Sequence, residues 1–378
     1  MDIQYLLWLQ NFRNSINDSW TPFMEFVSMF ATTYMILLPV FWYWNRDKRK
    51  GLYTLVAYYF CMVFTPLIKL TACVYRPWIR DARIVPAGDS ITTATGYSFP
   101  SGHTTTAGPL AGGMAVNLWE DKRSRWASVL LAVFVLLTAF SRNYLGVHTP
   151  QDVLVGLCLS VLGLFLAAKL FDYLDEHPEK EDMLLLIGFI FCWLGIAYIT
   201  FKKYPMDYNA EGKLIVDPQK MMNDGYGDIG KMIGFIAARY VEKHWINFKP
   251  LKQSVKNVVI CAVGLVIMVL LKQYLSPLMK DWFGSHWGKL LFSVVYTFYY
   301  IALFPMLLKL IGRSEEKLDS AAQSGHNRDS RAALTDREIL RIRKATVYDL
   351  EKLLDKGEKG KTYTVEEIKK LMHDYIKQ

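Results

Sequence analysis

Stretches of about 17 to 25 apolar residues recur between residues 25 and 311, and each can cross roughly 30 Å of hydrocarbon. A chain that repeats such runs has few folds open to it. With 52% of 378 residues hydrophobic and 14% aromatic, it is more apolar than a soluble chain of this length. The expected fold is all-α: a polytopic transmembrane helical bundle of about nine spans. These fall near 25–44, 52–75, 103–119, 126–146, 150–174, 182–201, 228–246, 255–275 and 287–311. The seventh is the weakest, because Lys231, Arg239, Glu242 and Lys243 interrupt it. Its Gly230, Gly234 and Ala238 fall every fourth residue, a spacing that suits close helix packing.

Four parts follow from this pattern. Residues 1–24 lack a basic start and a small-residue cleavage site, so they read as an N-terminal interfacial segment rather than a leader. Residues 25–200 form a membrane core, 201–312 add further transmembrane helices, and 313–378 form a charged cytoplasmic tail. The tail contains two capped helix patterns, Thr335 with Glu338 and Thr364 with Glu367. The basic loops NRDKRKG and EDKRSR, and the connection carrying Lys243, Lys249, Lys252 and Lys256, belong on the cytoplasmic side. The N-terminus is then outside and the C-terminus inside. The formal charge of +9 is accounted for by these loops beside a bilayer, without a nucleic-acid partner. The five cysteines sit in or beside apolar runs with no CxxC or metal-ligand spacing.

Three clusters fall on the predicted outer side. In KLTACVYRP, Lys69 and Arg76 are seven residues apart and return to one helix face. A lysine so deep in an apolar run is either functional or snorkelling to the interface. In PSGH, Pro100 to His103 turn the chain into a helix whose free N–H groups favour an anion; an ordinary helix start reads the same way. In SRNYLGVHTPQD, Asp152 lies four residues after His148, within reach of one imidazole nitrogen. Asp152 also reads as an acidic third position of a capped helix.

Taken together, K-x6-RP, PSGH and SR-x5-H-x3-D resemble the phosphatidic acid phosphatase type 2 superfamily, over about residues 50 to 175. The resemblance implies that His148 is the nucleophile, that Asp152 orients it, and that His103 protonates the leaving oxygen. It implies that Lys69, Arg76, Ser101, Gly102 and Arg142 surround the phosphate, and that no metal or other cofactor is needed.

A phosphate site at the outer interface favours a lipid phosphate: a sphingoid phosphate or phosphatidate monoester, with undecaprenyl diphosphate or phosphatidylglycerolphosphate as alternatives. The first span and the helices after the core are loosely similar to sphingosine-phosphate phosphatases. Arg80 and Arg83, in the loop between the first two motifs, either contact the head group through a second phosphate or face water and lipid headgroups. A phospholipid-binding transporter or scramblase would use the same cations but would need no oriented nucleophile. If the chain is bacterial, the plasma membrane is its expected location.

Overall fold

The computed structural model describes residues 2–94, 96–251 and 253–312, and within it Met1–Gly312 form one compact unit. The tail from 313 onward, with its two capped-helix patterns, lies outside the described residues. The unit is helical, with one isolated β-bridge between Tyr208 and Leu214.

The helices are α1 (Asp2–Ser15), α2 (Thr21–Thr33), α3 (Leu37–Asn45) and α4 (Lys48–Ala72). Helix α5 runs through Gly102–Ala107, a wide π turn at Gly108–Gly112, and Gly113–Trp119. Then come α6 (Arg125–Tyr144), α7 (Pro150–Glu176) and α8 (Glu181–Phe201). Helix α9 (Pro218–Val241) continues through Glu242–Ile246, and α10 (Val255–Phe283) and α11 (Ser285–Gly312) follow.

Among the described residues, six helices are long and apolar enough to cross a membrane, or seven if α2 and α3, bent by 42°, count as one span. The expected number was nine. The two that fall short by composition are α5 and α9. Both lie against α4 over most of its length. At one end of α4, Lys69 and Arg76 share a cavity with His103 of α5 and with Asp224 and Asp228 of α9. At the other, Lys50 donates to the carbonyl of Asn117 at 3.3 Å, and Lys48 reaches Glu242 at 2.5 Å. Lys50 and Lys69 are separated by on the order of 30 Å of helix. A helix enclosed by other helices need not be apolar all round, and this is why α5 and α9 carry glycine, threonine and charge.

Helix α9 is fixed against α11 by small residues. A Cβ at Gly234 would come within 2.7 Å of the Val294 carbonyl oxygen, and one at Gly230 within 2.9 Å of that of Leu290. The every-fourth-residue spacing thus corresponds to a backbone-to-backbone approach that any side chain would prop apart. Helix α3 joins the same block, since Tyr43 and Trp44 donate to the carbonyls of Ile301 and Tyr300. At the far end from the cavity, the fully buried Glu242 is held by Lys48, Arg239 and the backbone N–H of Phe248.

Helix α1 lies at the cavity end. Its Arg13 donates to the carbonyls of Tyr144 (3.2 Å) and Val85 (2.8 Å), which ties the N-terminal segment to the loop between α4 and α5.

Candidate active site

The 145–149 turn brings the histidine between α6 and α7 inward. Gly146 adopts φ +71°, a left-handed conformation that a side chain disfavours. The N–H groups of Leu145 and Val147 return to the carbonyls of Ser141 and Arg142, and Asn143 donates to the carbonyl of His148 at 2.9 Å. Thr149 and Asp152 form a reciprocal capping box that starts α7.

Asp152 therefore does two jobs. Its Oδ2 accepts from the Thr149 N–H at 2.8 Å and lies 3.4 Å from His148 Nδ1. Ser98 completes the arrangement: its hydroxyl donates to the same Oδ2 and stands 3.4 Å from the same ring nitrogen. On the other side of the ring, Arg76 Nη1 lies 2.9 Å from Nε2. A guanidinium has only donors, so Nε2 must accept, and the ring proton belongs on Nδ1 facing the carboxylate. Burial, and then the charges of Arg76, Arg142 and Lys69, hold the His148 pKa well below the ordinary imidazole value. The neutral ring with a lone pair on Nε2 is the form a nucleophile needs.

His148, His103, Gly102, Lys69 and Arg76 line one cavity of about 250 Å³. The two histidines, expected to converge from separate motifs, do so. The first N–H groups of α5 lie here, and a Cβ built on Gly102 would meet nothing within 4 Å, so the backbone is open to an anion.

Lys69 from that lining, and Ser101 and Arg142, which lie outside it, are placed less directly. Lys69 donates to the carbonyls of Tyr97, Ser98 and Pro100 at 3.0, 3.3 and 2.8 Å. An ammonium has three N–H donors, so this lysine shapes the 97–100 loop from beneath. Ser101 is buried, and its hydroxyl accepts from the N–H and the hydroxyl of Thr104 as the α5 cap. Arg142 is 1% exposed; Nη1 donates to Ser28 at 2.6 Å, while Nε and Nη2 have no partner among the described residues. Arg80 and Arg83 do not line the cavity. Arg80 pairs with Asp2 at 2.8 Å, and Arg83 pairs with Asp81 at 2.7 Å.

Sequence reasoning missed Ser98 and Ser28, which lie outside the motifs, and Asn143, an unspecified position within the third, all of which position the candidates. It also missed the far wall of the cavity, where Tyr58, Met62 and Thr65 of α4 face Asp224, Asp228 and Lys231 of α9. The signal available for α4 was its i, i+4, i+7 spacing leading to Lys69. For α9 it was the charges that interrupt its apolar run.

The PAP2 superfamily profile matches residues 50–176, which run from the start of α4 to the end of α7. The undecaprenyl-diphosphatase BcrC of Bacillus subtilis is 34% identical over 167 residues, covering 44% of this chain and 81% of that protein. Lipid phosphate phosphatase delta of Arabidopsis thaliana is 26% identical, over 54% of this chain and 49% of its own length. Sphingosine-1-phosphate phosphatase 1 of Rattus norvegicus is 28% identical, over 44% and 38% respectively. No solved structure is significantly similar. With the matched segment carrying the carboxylate on Nδ1 and placing both histidines, Lys69 and Arg76 on one cavity, the chain belongs to the PAP2 superfamily.

Proposed function

We propose that this membrane phosphatase hydrolyses a lipid phosphate monoester through a phosphohistidine at His148. The observation that carries the reading is the fixed imidazole: Nδ1 faces Asp152 and Ser98, and Nε2 presents its lone pair toward the cavity shared with His103. A protein that only bound phospholipid would need the cations but not this tautomer.

In the proposed reaction Nε2 attacks phosphorus and the bond to the lipid oxygen breaks. His103 gives that oxygen its proton. His103 then takes a proton from water, whose oxygen attacks phosphorus and releases phosphate from the nitrogen. Arg76 donates to Nε2, so a phosphate oxygen must take over its N–H before attack. The N-terminus of α5 supplies further charge to the equatorial oxygens, where phosphoryl transfer gains most, and Arg142, which lines the adjoining pocket with Glu25 and Ser28, would add its unpartnered donors by turning toward the phosphate. Lys69 and Ser101 act by holding the loop and the helix start in place.

The basic loops support a site on the extracytoplasmic side and a cytoplasmic C-terminus, with α5 and α9 crossing beside α4. Lipid tails would stay in hydrocarbon while the phosphate enters from the interface.

The test is phosphate release from detergent-solubilised protein. Lipid phosphate should be hydrolysed with EDTA present, vanadate should inhibit, and His148→Ala should lose nearly all turnover while remaining folded. Full activity in His148→Ala would refute the assignment. Comparing specificity constants for sphingoid phosphates, phosphatidate, phosphatidylglycerolphosphate and polyprenyl diphosphates tests the preference for a monoester.

A further inference from the structure

The matched family segment ends at residue 176, yet the catalytic cavity does not. Its far wall is built by α9, through Met221, Asp224, Asp228 and Lys231. Opposite stands the α4 face of Tyr58, Met62, Thr65 and Pro66, which continues to Lys69. Two features mark this wall as more than filling. Thr65 is 4% exposed, lines the cavity, and its hydroxyl has no hydrogen-bond partner among the described residues. Such a group costs stability unless something polar arrives to meet it. Asp228 and Lys231 form a 2.7 Å ion pair, both half-buried and both lining the cavity, with the Lys231 ammonium against Met62 and the Tyr58 ring.

The charge on this wall is opposite in character to the phosphate end. Two carboxylates and one ammonium line it, and Asp224 is tied to Lys289, which lies outside the lining. A second phosphate placed here would face Asp224 and Asp228 across a confined space. An ammonium would be drawn to Asp228, and a neighbouring hydroxyl could satisfy Thr65.

We propose that Thr65, Asp228 and Lys231 form a head-group subsite selecting a lipid phosphate monoester whose alcohol carries an ammonium group near the ester oxygen. The assignment rests on the phosphatase reading and refines its substrate. In this arrangement Lys231 is a restraint: it occupies Asp228 when no substrate is bound, and the substrate ammonium competes with it for the carboxylate. It also explains why charges sit within a helix that must pack deep in the bundle.

The experiment compares kcat/KM for a long-chain 2-amino-alcohol 1-phosphate and for its N-acetylated counterpart, using full-length protein in detergent micelles. A polyprenyl diphosphate is the third substrate. Wild type should prefer the free amine by about tenfold or more, because a polar site penalises the analogue that leaves it unpaired. Asp228→Asn should bring that ratio close to one and raise the relative rate on the diphosphate. Lys231→Met should move both ratios the other way, since it removes the competing cation and leaves the carboxylate. A merely structural role for the pair would lower all three rates together, and ratios unchanged in both variants would overturn the subsite. Wild type inactive on every lipid phosphate would instead overturn the phosphatase reading beneath it.

Discussion

Replacing Arg142 by methionine should change stability and catalysis in opposite directions. The guanidinium is almost wholly buried, with Nη1 on Ser28 and with Nε and Nη2 unpartnered among the described residues. Leaving a buried polar donor unpaired costs about 1–3 kcal/mol, and more when it is charged. Methionine fills much of the same volume without that cost, so the unliganded variant should be as stable as wild type or more so by about 1–2 kcal/mol. Against the two unpaired donors stands the Ser28 contact, a hydrogen bond to a charged group, whose loss returns about 1.5–3 kcal/mol. In the transition state the balance reverses, because the missing donors would have met developing charge. By analogy with an oxyanion donor, the loss is about 2.7–4 kcal/mol, or 10²–10³ in kcat. Thermal unfolding in detergent measures the first quantity, with and without vanadate. Vanadate at 100 times its Kd should add about 2.7 kcal/mol to wild type and far less to Arg142→Met. Steady-state kinetics on a lipid phosphate measures the second. A variant that unfolds earlier and keeps its kcat would refute the reasoning. A raised KM at constant kcat would make Arg142 a uniform binding group instead.

Three further outcomes are expected. The depressed His148 pKa means that the unfolded chain takes up a proton before the folded one does. Its contribution to stability is therefore complete above the ordinary imidazole range and falls as pH drops through it; His148→Gln should reduce this slope in unfolding midpoints between about pH 5 and 7. Ser98→Ala removes a hydroxyl bonded to the Asp152 carboxylate and should lower kcat about 10- to 100-fold with little change in KM, since hydrogen bonds to charged groups contribute about 1.5–3 kcal/mol; equal kcat in the two proteins would contradict that role. Gly234→Ala places a methyl 2.7 Å from the Val294 carbonyl oxygen and should destabilise by about 1–3 kcal/mol, with a matching fall in midpoint denaturant concentration; an unchanged midpoint would mean that α9 and α11 separate freely.

The helices and the His148–Asp152 contact were legible in the sequence because they depend on local spacing. A hydrophobic run implies a helix, and an i, i+4 His–Asp pair at a helix start implies a carboxylate on one ring nitrogen. Lys69 shows the limit of such reasoning. Its depth in an apolar run marked it as special, but its three acceptors lie 28 to 31 residues away, in a loop whose path the sequence does not specify. Ser98 was missed for a similar reason, since its partners sit 50 and 54 residues further on. The charges of α9 were seen but read as a flaw in a membrane span. Only packing against α4 shows that Asp228 and Lys231 line the cavity shared with His103 and His148.

The placement of α5 and α9 has a consequence for how the protein is made. A segment as polar as either gains little by partitioning into lipid alone, and each depends on neighbours to shelter its glycines, hydroxyls and charges. The ribosome delivers α4 before both, so α4 can act as the template against which they settle. Helix α9 gains its tight backbone contacts only when α11 emerges. Membrane insertion and tertiary packing are thus coupled for these two helices, and the cavity wall that α9 contributes comes last in chain order.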